Sequence, residues 1–346
     1  MKRITCRYLG EKLGLSHASV SLALRNHPSL PLKTRDRVWA LATQLGYRPD
    51  PALSALNAYR QANKAVKYQA TLGWLYVWPD QAARRKSQAY DPFFLGAQEG
   101  ARDLGYCLEE FWVPTREHWT RLVKTCAARR IEGLLLAPMD LKAQEFLRGF
   151  PWEDCFAVAI GETPEIPMDL AINNQFQGAA LAVRNLHALG YRKIGIVMPV
   201  SFAQHTEFQF LGGYLAECAK LNLPSLFLLD ESPSRMAYTK NAARWIKEHK
   251  PEAVIASGDG DILPVLDQAK LQVPDDIAVA LLSRFPEHPE LSAIDQNFRQ
   301  VGRAGANLLV DLMRRNMRGL PASPMRHLVE GTWIESTSTP RKKRTG

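Results

Sequence analysis

The sequence predicts a small all-α domain followed by a larger α/β core built as two subdomains with parallel sheets. Three observations carry that prediction. Residues 5–25, T-C-R-Y-L-G-E-K-L-G-L-S-H-A-S-V-S-L-A-L-R, hold two short apolar-periodic segments joined by a glycine turn. From Thr71 onward, short apolar runs alternate with helical patterns of about 10–15 residues, the rhythm of parallel sheets wrapped by helices. The charge also changes between the two parts. Residues 1–68 contain 12 Lys and Arg against 3 acids, which accounts for the whole net charge of +9.

In the first segment Thr5 is placed to N-cap a helix whose Leu9 and Leu13 fall four apart on one face. Gly14 follows, where a left-handed residue reverses the chain, and Leu15 is available to pack under the turn. Ser16 caps a second helix with Val20 and Leu24 inward, leaving His17, Ala18, Ser21, Leu22 and Arg25 outside. A helix-turn-helix of this kind sends its second helix, N-terminus first, into the major groove of DNA. An ordinary helical hairpin would merely solvate that face. The basic excess decides between them, because a solubilising charge has no reason to collect here and a polyanion binder needs it here.

A third helix is predicted over Lys33–Leu45, closed by Gly46, with Val38, Leu41, Ala42 and Leu45 at helical spacing. Arg35 and Arg37 near its start are candidate phosphate contacts, with solvated helix charges the equally open alternative. Tyr47-Arg48-Pro49-Asp50-Pro51 breaks the chain. The following A-L-S-A-L-N-A-Y-R reads as a short helix capped by Asp50, too short to be stable alone. A helix that forms only on its target, with Leu56 exposed, suits minor-groove wedging; a plain linker is the alternative.

The core opens with the apolar run T-L-G-W-L-Y-V-W, as a buried parallel strand would. Helices follow over Asp91–Leu104, Arg116–Arg130, Phe176–Leu189, Glu207–Leu221, Ser234–His249, 261–270 and Phe298–Met317. Between them lie strands Tyr106–Val113, Gly133–Ala137, 155–160, Lys193–Met198, Leu226–Leu229, Ala253–Ser257 and Ile277–Leu282. These are too many strands for one comfortable sheet, so two α/β subdomains with a cleft between them are expected. Ligands of such folds sit at the carboxyl ends of the strands.

The sequence argues against an enzyme. It has no G-x-S-x-G, no Walker loop and no G-x-G-x-x-G after the first strand, and S-G-D-G-D at 257–261 lacks the lysine or the spacing. No cofactor is expected, and the eight histidines show no metal-ligand spacing. Five widely spaced cysteines without a C-x-x-C pair indicate reduced thiols, and no apolar leader precedes the first helix. A cytoplasmic location, at the nucleoid, is the expectation. Asp259, at a strand end, is placed equally well to bind a ligand hydroxyl or to cap the next helix.

With those residues in place, the chain resembles the LacI/GalR family of transcriptional repressors along essentially its whole length. The blocks that carry the resemblance are G-L-S-H-A-S-V-S-L-A-L, Thr34-Arg35, L-G-Y-R-P-D at 45–50, R-R-I-E-G-L-L-L-A-P at 129–138, L-G-Y-R-K-I-G-I-V at 189–197, V-P-D-D-I-A-V at 273–279 and E-S-T near 335. The resemblance implies a periplasmic-binding-protein-like core, a homodimer, a palindromic operator in double-stranded DNA and a small-molecule effector in the cleft. It implies a DNA contact set of Thr5, Ser16, His17, Ala18, Ser19, Ser21, Leu22, Arg25, Asn26, Arg35, Tyr47, Asp50, Ala52, Leu53 and Leu56. Within it His17, Ala18 and Leu22 read bases and Leu56 is the minor-groove leucine. Ala18 and Leu22 cannot donate hydrogen bonds, so His17 carries most direct readout.

The same resemblance implies a domain plan of 1–48 for the helix-turn-helix domain and 49–69 for the hinge helix and linker. Residues 70–173 with 296–322 form the first core subdomain, 174–295 with 323–339 the second, and 340–346 a disordered basic tail. Around the cleft it implies Phe94, Phe210, Asp259, Ser283, Gln296 and Phe298. Here the chain departs from the family pattern: Phe210 stands in place of an arginine, Gly258 of an asparagine, and Ser283 and Gly161 of aspartates. A ligand flatter, larger or more apolar than a simple hexose is expected, with Phe210 and Phe298 supplying faces. A solute-binding protein of the periplasmic type shares the two-lobed fold. The basic N-terminal domain and the lack of a leader argue against it.

Overall fold

The computed structural model describes residues 5–24, 30–47, 70–77, 91–139, 147–161 and 165–342. Helices α1 (Cys6–Leu13), α2 (His17–Leu24) and α3 (Leu32–Gln44) share a core of Leu9, Val20, Ala23, Val38 and Ala42, all essentially without solvent exposure. The predicted caps are in place. Thr5 Oγ1 accepts from the Tyr8 amide at 3.2 Å and Ser16 Oγ from the Ser19 amide at 3.0 Å. Gly14 ends α1 with φ +67°, in the left-handed region that favours glycine. Each cap satisfies a helix-end amide that would otherwise bond only water. Thr5→Ala and Ser16→Ala are therefore each expected to lower the stability of the isolated 1–47 domain by about 1 kcal/mol, read by thermal melts. A serine or threonine at the same position should restore it.

Among the described residues the core strands form two six-stranded sheets. The first sheet contains β1 (Ala70–Tyr76), β2 (Tyr106–Trp112), β3 (Gly133–Leu136), β4 (Phe156–Ile160) and β5 (Leu170–Asn173). The second contains β6 (Ile194–Pro199), β7 (Leu226–Asp230), β8 (Ala253–Ala256), β9 (Ala278–Leu281) and β10 (Ser292–Asp295). Late in the chain β11 (Arg326–Val329) joins the first sheet beside β5, and β12 (Thr332–Ile334) joins the second, antiparallel to β10. The other pairings are parallel.

The central strands are buried end to end, as sheets covered on both faces require. On the first sheet pack α4 (Asp91–Asp103), α5 (Arg116–Arg129) and α11 (Phe298–Arg315). On the second pack α6 (Gln175–Ala188), α7 (Val200–His205), α8 (Gln209–Lys220), α9 (Arg235–His249) and α10 (Asp259–Ala269). Tyr214 ties α8 to this sheet: its hydroxyl accepts from the Leu226 amide and shares its one proton between the carbonyls of Ile194 and Leu226, each 2.9 Å away.

The structure changes the expected plan in three places. The predicted helix over Glu207–Leu221 is α8, and ahead of it stands a helix the sequence did not predict, α7, separated from α8 by a turn in which Glu207 and Phe208 are both left-handed. The expected boundary at residue 323 moves, because β11 belongs to the first sheet; the chain returns to the second lobe at 330–331. The start of the basic tail is docked. Tyr191 donates to the Pro340 carbonyl at 2.7 Å, the Lys342 amide donates to the Leu189 carbonyl at 2.9 Å, and Lys342 pairs with Glu252. These partners cluster at the carboxyl end of α6, where cations complement the helix dipole.

Candidate nucleic-acid interface and ligand cleft

Two regions follow from this architecture. In the helical domain, Val20, Ala23 and Leu24 turn inward on α2 and pack against α1 and α3. Ser19 and Leu22 are half-buried. Ser16 Oγ also lies 2.9 Å from Ser19 Oγ, so the two hydroxyls share one network at the amino end of α2. The side chains of His17, Ala18 and Ser21 lie outside the described part of the molecule. So do residues Arg25, Asn26, Asp50, Ala52, Leu53 and Leu56. Arg35 is half-buried in the first turn of α3. The Tyr47 hydroxyl lies 3.1 Å from Cys6 Sγ, which gives this candidate contact a packing role against α1 as well.

The second region is the cleft at the carboxyl ends of the two sheets, with the chain crossing between lobes beside it. Among the described residues the chain crosses after β5, after β10 and after β11. Amide side chains, of which the sequence reading named only Gln296, hold these crossings together. Asn173 Nδ2 donates to Gln296 Oε1 at 2.7 Å, and Gln296 Nε2 donates to the Leu282 carbonyl. Asn174 Nδ2 donates to Glu330 Oε1 at 2.9 Å, and Asn297 Nδ2 to the Glu330 carbonyl at 2.7 Å. Gln177 Oε1 accepts from the Gly331 amide at 3.3 Å. Gln296 is thus 2 % exposed with both ends of its amide engaged; it is part of the hinge rather than a free ligand contact.

Of the remaining cleft candidates, the aromatic ones divide. Phe298 opens α11 and lies against Phe93, ring centroids 4.5 Å apart, and Phe94 meets Trp74 edge-on at 5.6 Å. These rings form the upper edge of the first-lobe core. Phe210 does not join them. It is 3 % exposed inside the second-lobe core, stacked on Phe202 at 5.7 Å, so the expectation that it offers a face to a ligand is corrected. An apolar ring gains more from that core than from a wet cleft. Ser283 is half-buried just past β9, and Asp259 begins α10, its side chain outside the described part.

Gly161 explains a departure noted in the sequence. It follows β4 with φ +76°, and a Cβ there would meet Pro138 at 3.0 Å and Phe93 at 3.1 Å. A side chain at that position would collide with a ring already in place. On the second lobe Phe285 stands beside Gly258, 3.4 Å from where a Cβ would lie. No cluster of metal-ligating side chains occurs among the described residues, and no helix among them is long and apolar enough to cross a membrane.

Comparison with known proteins agrees with this geometry. Residues 183–339 match the periplasmic binding protein-like domain family. The transcriptional repressor PurR of Klebsiella pneumoniae (strain 342) is 23% identical over 324 residues, covering 89% of each chain. The solved complex of the transcriptional regulator CelR with cellobiose superposes with a TM-score of 0.58 at 18% identity, over 97% of this chain and 100% of that one. The lac repressor dimer bound to operator and the anti-inducer ONPF gives a TM-score of 0.55 at 20% identity, over 98% of this chain and 100% of that one. All three are transcriptional regulators by name, and the two solved structures share this fold over 97% and 98% of the chain. Residues 183–339 thus match a periplasmic binding protein-like domain, and over nearly its whole length the chain is similar to transcriptional regulators of the LacI/GalR kind.

Proposed function

We propose that this protein is a repressor that binds a palindromic operator as a homodimer, with its affinity set by a small ligand held between the core lobes. One observation carries the reading. The entire +9 excess lies on residues 1–68, ahead of an α/β core whose 32 basic and 32 acidic residues cancel. In this reading α2 enters the major groove with His17, Ala18 and Leu22 toward base edges. Ser16, Ser21 and Arg25 meet phosphates, and Leu56 wedges the minor groove between half-sites. The lac repressor dimer, bound to operator in its solved structure, supplies the precedent for the arrangement. The test is an electrophoretic mobility shift on palindromic duplexes, using the full chain and a chain starting at Ala70. Retention of binding by the shorter chain overturns the reading.

The effector in this reading is not a simple hexose. Phe93 closes the space beside Gly161, and Phe285 stands by Gly258, where the family resemblance implies polar side chains. A pocket that recognises hydroxyls gains selectivity because each buried group left unpaired costs about 1–3 kcal/mol. Without those groups, apolar contact and ring stacking favour a flatter or larger ligand. Calorimetry against a panel of hexoses and pentoses is expected to show no micromolar binder. Micromolar binding of a plain hexose, abolished by Asp259→Ala, overturns this part of the proposal.

A further inference from the structure

The crossings are not the sole link between the lobes. Arg326, the first residue of β11, donates from its two terminal nitrogens to the two carboxylate oxygens of Glu207, at 2.7 and 2.9 Å. Arg326 belongs to the first sheet, and Glu207 to the turn between α7 and α8 of the second lobe. Strand register places Arg326 level with the cleft. It pairs with Leu170, which in turn pairs with Ala159, one residue from the carboxyl end of β4. Only α7 separates Glu207 from the carboxyl end of β6, so its turn also lies on the cleft side of its sheet. The ion pair therefore joins the two lobes directly, three residues ahead of the crossing that follows β11.

The backbone under Glu207 is unusual. Glu207 and Phe208 have φ of +49° and +57°, held by hydrogen bonds from their amides to the carbonyls of Gln204 and Ala203. Successive left-handed residues without a glycine persist only where their surroundings over-determine them. This turn presents the carboxylate to the other lobe. The two side chains are 44% and 39% exposed, so neither fills a core that its own lobe needs in order to fold. The carboxylate also keeps the Arg326 guanidinium above its ordinary range, mainly through the paired hydrogen bonds.

We propose that Arg326 and Glu207 form a strap that holds the lobes in the arrangement seen here, and that releasing it is a step in lobe opening. A bidentate guanidinium–carboxylate pair has the directionality for this, since both hydrogen bonds are lost once the lobes rotate apart. Its strength suits the task. An exposed pair biases an equilibrium by a factor of about two to five, enough to favour one arrangement and little enough for a bound ligand to override. The strap stands whether or not the protein binds DNA; only its consequence for operator release rests on the function proposed above.

Hydrogen exchange on the full chain, without DNA or ligand, tests the strap and so fails independently of that function. The probes are the crossing amides of Asn174, Asn297 and Gly331, each hydrogen-bonded between segments or within a crossing. Glu207→Gln and Arg326→Gln are each expected to speed exchange there by about two- to fivefold, and the double variant no further. About 1 M salt should reproduce the effect in the parent and add nothing in the double variant. Exchange in the buried strand β6 should stay at the parent rate throughout. Unchanged crossing exchange in the single variants, additive effects in the double, or equal acceleration of β6 would each overturn the proposal.

Discussion

If the protein binds a palindromic operator as proposed, raising salt from about 50 to about 200 mM is expected to weaken that binding by a thousandfold or more. The reasoning starts from the charge distribution, since the basic excess is confined to the first 68 residues and the homodimer proposed above would present that segment twice. Every phosphate neutralised by a lysine or arginine releases condensed counterions. A protein making about 6–10 such contacts loses about 10³- to 10⁵-fold in affinity over this range. Helix α2 cannot substitute for that term, because its Ala18 and Leu22 offer no hydrogen bonds to bases. Fluorescence anisotropy with a labelled palindrome, titrated at several salt concentrations, measures the slope. A flat plot of log affinity against log salt would mean that the basic segment does not lie on the phosphates.

Gly302→Ala is expected to destabilise the first lobe by about 3 kcal/mol, and Gly96→Ala by a similar amount. These glycines sit where α4 and α11 cross at closest approach. A Cβ at Gly302 would lie 1.9 Å from the Phe93 carbonyl oxygen, and one at Gly96 would lie 1.7 Å from that of Arg299. Both obstacles are backbone, so the helices would have to separate, and overpacking of this kind costs about 1–3 kcal/mol or more. The same helices carry Phe93 and Phe298, so the cleft edge would move with them. Urea denaturation, with Gly212→Ala as the control, provides the measurement. At Gly212 a Cβ would meet only Phe176 ring carbons at 3.6 Å, and alanine should be neutral or slightly stabilising in a helix. Equal midpoints for Gly302→Ala and Gly212→Ala would contradict the close-packing argument.

The acidic and basic residues that flank this crossing have a separate role. Glu99 on α4 is held to a pKa of about 2, first by its hydrogen bond to Arg299 and then by the charges of Arg299 and Arg303. Its stabilising contribution is therefore complete above the ordinary carboxylate range and disappears only as pH falls toward 2. The pairs lie at the surface, where screening keeps each one weak, so they orient the two helices more than they hold them together.

Sequence by itself determined the features whose causes lie within a turn or two of chain. Thr5, Gly14 and Ser16 announce the helix-turn-helix because caps and left-handed reversals act over three or four residues. The longer buried strands announce the parallel sheets because an apolar run of that length has few other uses. Strands β5, β10, β11 and β12 have three or four residues each, too few to show a period; the four-residue β3, β8 and β9 are legible only because longer apolar runs surround them, whereas pairing with partners far along the chain defines the others.

Tertiary structure alone decided which side of the hinge β11 joins, since residues 326–329 carry no mark of the sheet they enter. It decided that Phe210 fills a core while Phe298 edges the cleft; both are phenylalanines in the first turns of helices, and only the neighbours differ. It brought Asn173 to Gln296 across 123 residues and Arg326 to Glu207 across 119. Such contacts depend on the packing of two whole lobes, a long-range property that no local window of sequence contains.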